Sequence, residues 1–332
     1  MLRRTLLAAA AALAFTAGAA LADDSKPAIV FDIGGKFDKS FNESMFNGAE
    51  KFKAETGVAY GEFEIANEAQ REQAIRNFAD QGYSPIIAAG FAQAAAVEKV
   101  AKEYPDLKFA IVDMVVDLPN VQSIVFKENE GSYLVGLLAG MASKSGKVGF
   151  VGGMDIPLIR KFGCGYAQGV KAAKPDATIF QNMTGDTGAA WNDPVKGGEI
   201  TKGQMAQGAD VVYAAAGATG LGVLQAAADG GALSIGVDAN QNYLHPGKVL
   251  TSMLKRVDVA VYNVMKGGNA GFKPGIQALG LAEDGVGVAM DDNNKPLITP
   301  EMMAAVDKAK ADIIAGTIKV HDYTEDNTCP VQ

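Results

Sequence analysis

The chain has 332 residues, 48% of them hydrophobic and 20% charged, with a formal net charge of −8. That acidic balance excludes a nucleic-acid binder, which needs clustered Lys and Arg to track phosphates, and argues equally against an anionic membrane surface as partner. About 310 residues remain once an amino-terminal leader is removed, enough for two domains with ordinary globular cores.

Residues 1–22 read as a cleavable signal peptide: Arg3 and Arg4 form a positive n-region, Leu6 to Phe15 an apolar h-region, and Ala20-Leu21-Ala22 a cleavage site. The apolar run is too short for a membrane anchor, and no cysteine directly follows the cleavage site. A freely soluble periplasmic protein is therefore expected, with neither lipid anchor nor direct membrane insertion. Removing the two leader arginines takes the formal charge from −8 to −10. Cys164 and Cys329, the two cysteines, would then meet an oxidising compartment, which favours one disulfide over the alternative of two buried thiols.

Taken in order, residues 28–33 read as a buried strand, followed by a glycine-bearing turn containing Asp38 and then a helix start. Ser40 followed three residues later by Glu43 has capping-box spacing, which predicts Ser40 as N-cap and places Phe41 and Asn42 in the first turn. Strands at 60–66, 85–89, 108–112 and 121–126 alternate with helices at 67–81 and 92–104. Alternation at these lengths calls for parallel βαβ units. A helix at 129–143 leads to a strand at 147–151, and the rhythm restarts with helices at 157–173, 194–207 and 220–229 between strands at 178–181, 210–214 and 233–237. This predicts a second lobe of the same architecture, without a sequence repeat. A strand at 249–256 runs into a helix; glycine-rich strands within 280–290, a helix with Thr299 as N-cap and Pro300 at N1, and a short terminal strand complete the chain. The stretch 271–296 carries too many turn residues for a finer assignment.

Most catalytic signatures fail. His245 and His321 lack metal-ligand spacing, there is no G-x-S-x-G elbow, and Gly140 with Gly146-Lys147 is too widely spaced for a P-loop. Gly217-x-x-Gly220-x-Gly222 is not in dinucleotide-fingerprint order and reads as a close backbone approach to a neutral ligand. Asp32 and Asp38 flanking a glycine turn resemble the calcium-binding aspartates of nucleoside hydrolases, but Gly34, Lys36 and Lys39 supply no further oxygen ligands. What stands out is a set of polar and aromatic residues at strand carboxyl ends, where open α/β sheets bind ligands: Asp32, Phe41, Asn42, Asp113, Trp191, Gly217, Asp238 and Lys255. Phe41 also has a plainer reading as a core knob, because Phe41, Met45, Ala49 and Phe52 follow helical spacing.

At these residues the chain resembles the basic membrane protein family of ABC-transporter solute-binding proteins, typified by purine-nucleoside receptor lipoproteins. The matching pieces are D-x-G-G-x-x-D-x-S-F-N (32–42), F-x-x-N-E-G-S-Y-L-V-G (126–136), G-F-V-G-G-M (149–154), W-N-D-P-x-K-G (191–197), A-G-x-T-G-x-G (216–222), G-V-D-x-x-Q (236–241) and T-S-M-x-K-R-x-D-V-A (251–260). The family name implies a basic protein and many members a lipoprotein cysteine; this chain is acidic and lacks that cysteine. The resemblance implies an α/β type I periplasmic-binding-protein fold, two Rossmann-like lobes with parallel sheets joined by crossover hinge strands. Lobe 1 would comprise residues 23–127 plus about 255–275, and lobe 2 residues 128–254 plus about 276–332, with crossovers near 126–129, 254–256 and 272–277. It further implies a purine nucleoside between Phe41 and Trp191, base-edge contacts from Asp113 with Asn42 or Asp32, ribose contacts from Asp238 and Lys255, and close passage of the chain at Gly217. A monomer delivering its ligand to an ABC permease by hinge closure is expected, with no catalytic residue, cofactor or metal. Another small solute and, further off, nucleoside hydrolysis stay open as alternatives.

Overall fold

The computed structural model describes residues 25–331; the leader expected over residues 1–22 lies outside them. The first lobe opens with β1 (Ala28–Phe31), α1 (Phe41–Thr56), β2 (Gly61–Glu64), α2 (Gln70–Asp80), β3 (Ile86–Ala88), α3 (Ala94–Glu103), β4 (Phe109–Val112) and β5 (Val121–Phe126). The chain then crosses into α4 (Glu128–Ala142), β6 (Lys147–Met154), α5 (Pro157–Ala173), β7 (Thr178–Gly185), α6 (Pro194–Ala206), β8 (Val211–Ala215), α7 (Thr219–Asp229), β9 (Leu233–Asp238) and β10 (Val249–Lys255). It returns for α8 (Val257–Gly267) and β11 (Gly275–Leu279), and finishes on the second lobe with β12 (Val286–Val288) and α9 (Pro300–Ile314).

The strands form two six-stranded sheets, ordered β11-β5-β4-β3-β1-β2 and β12-β10-β9-β8-β6-β7. Among the described residues every pairing between these strands is parallel except β10 with β12. Helices cover both faces, which is why β1 and β8 are apolar throughout and wholly buried rather than alternating. Among the described residues no helix is long and apolar enough to cross a membrane.

Two expectations for the carboxyl-terminal third need correction. β11 pairs with β5 from Gly275 opposite Gln122 to Leu279 opposite Phe126, so it belongs to the first sheet. The third passage between lobes therefore falls at residues 280–285, beyond the expected 272–277, and a lobe boundary near 275 would cut a paired strand. In place of a terminal strand the tail forms a strap over α5, with a short 3-10 turn at Tyr323–Glu325. Gln168 of α5 exchanges two hydrogen bonds with the His321 backbone at 3.0 and 2.9 Å, Asn129 donates to the Val320 carbonyl at 2.9 Å, and Cys164 of α5 is bonded to Cys329 with Cα atoms 5.6 Å apart.

Candidate functional site

The start of α1 is built differently from a simple capping box. The Asp38 carboxylate accepts backbone N–H bonds from Ser40, Asn42 and Glu43 at 2.8, 3.0 and 3.0 Å, occupying the donors a Ser40 cap would serve. Ser40 stands at the N-cap position but makes no side-chain cap bond, and its hydroxyl instead donates across the cleft to the Asp238 carboxylate. Glu43 turns to Lys39, whose backbone N–H and ammonium both reach it. A second bond between lobes runs from Gln241 Nε2 to the Lys39 carbonyl at 3.0 Å, so the lobes are closed on one another.

Between them lies a cavity of about 640 Å3, counting the solvent at its mouth, and all eight residues singled out from the sequence line it. Phe41 enters from α1 of the first lobe; Met45, Ala49 and Phe52, on the same stripe, are the core knobs. Trp191 enters from the turn between β7 and α6 of the second lobe. Its indole lies on Gly153 at the end of β6, where a Cβ would come within 2.2 Å of the ring, so only glycine seats it. Gly217 has a left-handed φ of 56°, and a Cβ there would sit 3.3 Å from the Trp191 carbonyl; the close approach at this glycine is to the Trp191 main chain.

Asn42 lines the cavity, yet its amide is already committed. Its Oδ1 accepts from the Asp32 N–H at 3.3 Å, and its Nδ2 donates to the Asp32 and Gly35 carbonyls at 3.1 and 3.2 Å. It braces the β1 turn. Asp32 Oδ1 takes the Ile33 N–H at 2.9 Å and the Arg71 guanidinium at 3.3 Å, and its carboxyl is pushed above the usual range by burial, against the pull of that N–H and Arg71.

The floor is an ionic cluster. Lys255 is 2% exposed; its ammonium is 2.7 Å from each Asp113 oxygen and 2.9 Å from Glu128 Oε1. The rings of Phe126, Phe41 and Phe162 surround it, with centroids at 5.2, 5.4 and 5.5 Å. Asp113 and Asp238 follow or end β4 and β9, topologically matching strands of the two sheets, and both have left-handed backbones with φ of 70° and 64°. Non-glycine residues held there concentrate at functional sites, because the surroundings must offset the strain. The turn carries each carboxylate toward Lys255 from its own lobe.

Burial pushes Asp113 and Asp238 up to about 6, the nearby Lys255 charge opposing it. Burial lowers the Lys255 ammonium but its carboxylate neighbours more than offset that, so it stays charged across the neutral range. For Asp113 and Asp238 a folded-state value above the unfolded 3.8 means that protonation favours the native state; their contribution is present at low pH and lost as pH rises through about 6. Acidification from pH 7 to 5 is thus expected to raise this part of the ligand-free protein's stability while weakening any ligand held by the ionised carboxylates. Thermal melts and titration calorimetry at matched pH values would check the opposite signs; affinity unchanged between pH 7 and 5 would count against carboxylate acceptors.

Several site residues escaped the sequence reading. Ser40 has the spacing of a cap, Gly153 has no partner visible in the sequence, and Glu128, wholly buried, occupies an unassigned position of the 126–136 motif. Lys161 does carry a signal, since it shares a helical stripe with Cys164 and Gly165 on a buried face.

The family described as ABC transporter substrate-binding protein PnrA-like, Bmp, matches residues 26–324. The chain is 38% identical to the CD4+ T-cell-stimulating antigen of Listeria monocytogenes over 90% of this chain and 88% of that one. It is 34% identical to the ABC transporter nucleoside-binding protein BmpA of Lactococcus lactis subsp. cremoris, over 90% and 89%. The crystal structure of an ABC transporter solute-binding protein from Aeropyrum pernix K1 superposes with a TM-score of 0.81 at 29% identity, covering 91% of this chain and 95% of that one. Some other relatives are named lipoproteins. Fold and cleft define a two-lobed solute-binding protein of the type I periplasmic class. The chain belongs to the Bmp family of ABC transporter substrate-binding proteins.

Proposed function

We propose that this protein binds a purine nucleoside in the cleft and delivers it to an ABC permease in the closed form, with no covalent step. The observation that carries this is one aromatic ring from each lobe, Phe41 and Trp191, lining a cavity floored by Asp113, Asp238 and Lys255. A flat base suits the rings, and stacking contributes roughly 1–3 kcal/mol per base. A sugar's vicinal hydroxyls suit a carboxylate beside an ammonium. Ligand that touches both lobes favours closure, because those contacts exist only in the closed state. The nucleoside-binding name of the Lactococcus relative supports the same reading. Nucleoside hydrolysis by a calcium site fits less well: Asp38 is committed to three helix N–H groups and Asp32 to Arg71.

We further propose that Asp238 takes the ribose hydroxyls while its other oxygen holds the Ser40 latch. Asp238→Ala is then expected to weaken nucleoside binding by roughly 1–3 kcal/mol; wild-type affinity would remove the ribose role. Export to the periplasm without lipid is the matching localisation. The strap disulfide joins Cys164 to Cys329, and the lipoprotein names of some relatives point the other way, toward a lipid anchor. The test of the whole reading is titration of ligand-stripped protein with guanosine, inosine, adenosine, cytidine and ribose. Purine nucleosides should bind tightly and cytidine and ribose weakly; silence across the panel would return the ligand to another solute class.

A further inference from the structure

Behind the cavity floor the charges do not stop at Lys255. Glu128 is wholly buried and uses one oxygen for each of two ammonium groups, Oε1 for Lys255 at 2.9 Å and Oε2 for Lys161 at 3.0 Å. Lys161 is saturated: besides Glu128, it donates to the Phe126 carbonyl at 2.7 Å and reaches Asp322 of the tail strap at 3.0 Å. Lys255 has both Asp113 oxygens and Glu128 Oε1 within 2.9 Å and, unlike Lys161, lines the cavity. The result is a line of alternating charge, Asp113, Lys255, Glu128, Lys161 and Asp322, running from the cleft through the crossover strands to the strap that the Cys164–Cys329 bond ties to α5.

We propose that Lys161, acting through Glu128, is a positioning residue for ligand binding, and that Asp322 of the strap completes it by holding Lys161 in place. The inference rests on the reading of the cleft as the solute site with Lys255 facing the solute. The physical reason is the shared carboxylate. While Lys161 neutralises one oxygen of Glu128, the other holds Lys255 without drawing it fully out of reach of Asp113 and the cavity. Remove the Lys161 charge and the whole Glu128 charge, buried and poorly screened, bears on Lys255. The ammonium is then drawn toward the hinge, and Asp113 loses part of the positive field that keeps it ionised. The other titratable groups facing this line are Asp238 from β9 and Tyr213 from β8. Neither touches Lys161, so they report the change without causing it.

The experiment compares wild type, Lys161→Met, Lys161→Arg and Asp322→Asn. Inosine titrations from pH 5 to 8 should show Lys161→Met binding about tenfold more weakly at neutral pH, with the acid limb of the affinity profile moved up by about one pH unit. Lys161→Arg should restore both, and Asp322→Asn, altered only on the strap, should shift them the same way by less. A variant that merely loosens the fold would melt earlier with an unmoved acid limb, and that result overturns the proposal. Should Lys161→Met not fold, Asp322→Asn carries the same decision. A ligand-independent readout separates this from the choice of solute: the Asp113 carboxyl midpoint, followed by 13C NMR in ligand-free protein and assigned with Asp113→Asn, should rise in Lys161→Met. An unmoved midpoint overturns the positioning role, whereas a wild type that binds no nucleoside, together with a raised midpoint in Lys161→Met, overturns only the nucleoside.

Discussion

Lys255→Met is expected to destabilise the folded protein by roughly 3–5 kcal/mol at pH 7, the cost of leaving buried carboxylates without their cation. The side chain lies between Asp113 and Glu128, with Asp238 close enough to raise its affinity for a proton. A methionine fills much of the same volume among Phe41, Phe126 and Phe162, so lost packing is the smaller part. The signature is in the pH dependence. Asp113 and Asp238, pushed up to about 6 with Lys255 present, should move higher without it, so denaturant titrations should show the deficit shrinking between pH 7 and pH 5 as they take up protons. A deficit independent of pH would mean that Lys255 acts by shape rather than charge. Nucleoside binding should fall with the same substitution, because a charge-assisted donor to the ligand is lost and the two lobe carboxylates repel each other across the closing cleft.

Trp191→Ala should weaken purine nucleosides by roughly 2–3 kcal/mol, or about 30-fold to 150-fold, and affect a non-aromatic solute far less. The indole is half-buried and rests on Gly153, so its removal opens one wall of the cavity while leaving the core of the second lobe intact. The melting temperature of the ligand-free protein should therefore change little, and Trp191→Phe should keep most of the affinity. Calorimetry is the appropriate readout, since Trp191 is the only tryptophan of the chain and the variant has no indole signal. An unchanged isotherm with inosine would take Trp191 out of the proposed sandwich.

Particular residues show how much of this was legible. The β1 to α1 segment could be placed because a buried apolar run, a glycine turn and a cap-like Ser-x-x-Glu are local signals, and local signals determine where elements begin. What they do not determine is which of several competent side chains makes the bond. Asp38 and Ser40 both offer an oxygen to the same N–H groups; Asp38 is charged and sits two residues earlier, so it takes them and frees Ser40 for Asp238, 198 residues away. The passage at residues 280–285 was misplaced for a similar reason. Gly275 to Leu279 is a weak, mostly exposed strand pattern, and only pairing with β5 makes it a strand.

The sequence by itself determined the two-lobed α/β architecture, through the alternation of strand and helix periods, and brought the cleft residues to notice by their place after strand ends. It also carried the family resemblance in ordered motifs. The tertiary structure alone decided how those residues are used: that Asn42 braces a turn, that Trp191 sits on Gly153, that Asp113 and Asp238 approach Lys255 from opposite lobes, and that Glu128 and Lys161 stand behind it. Period and capping are properties of neighbouring residues. The pairing of buried charges depends on which side chains share a low-dielectric space, and segments more than a hundred residues apart meet there only after the chain has folded.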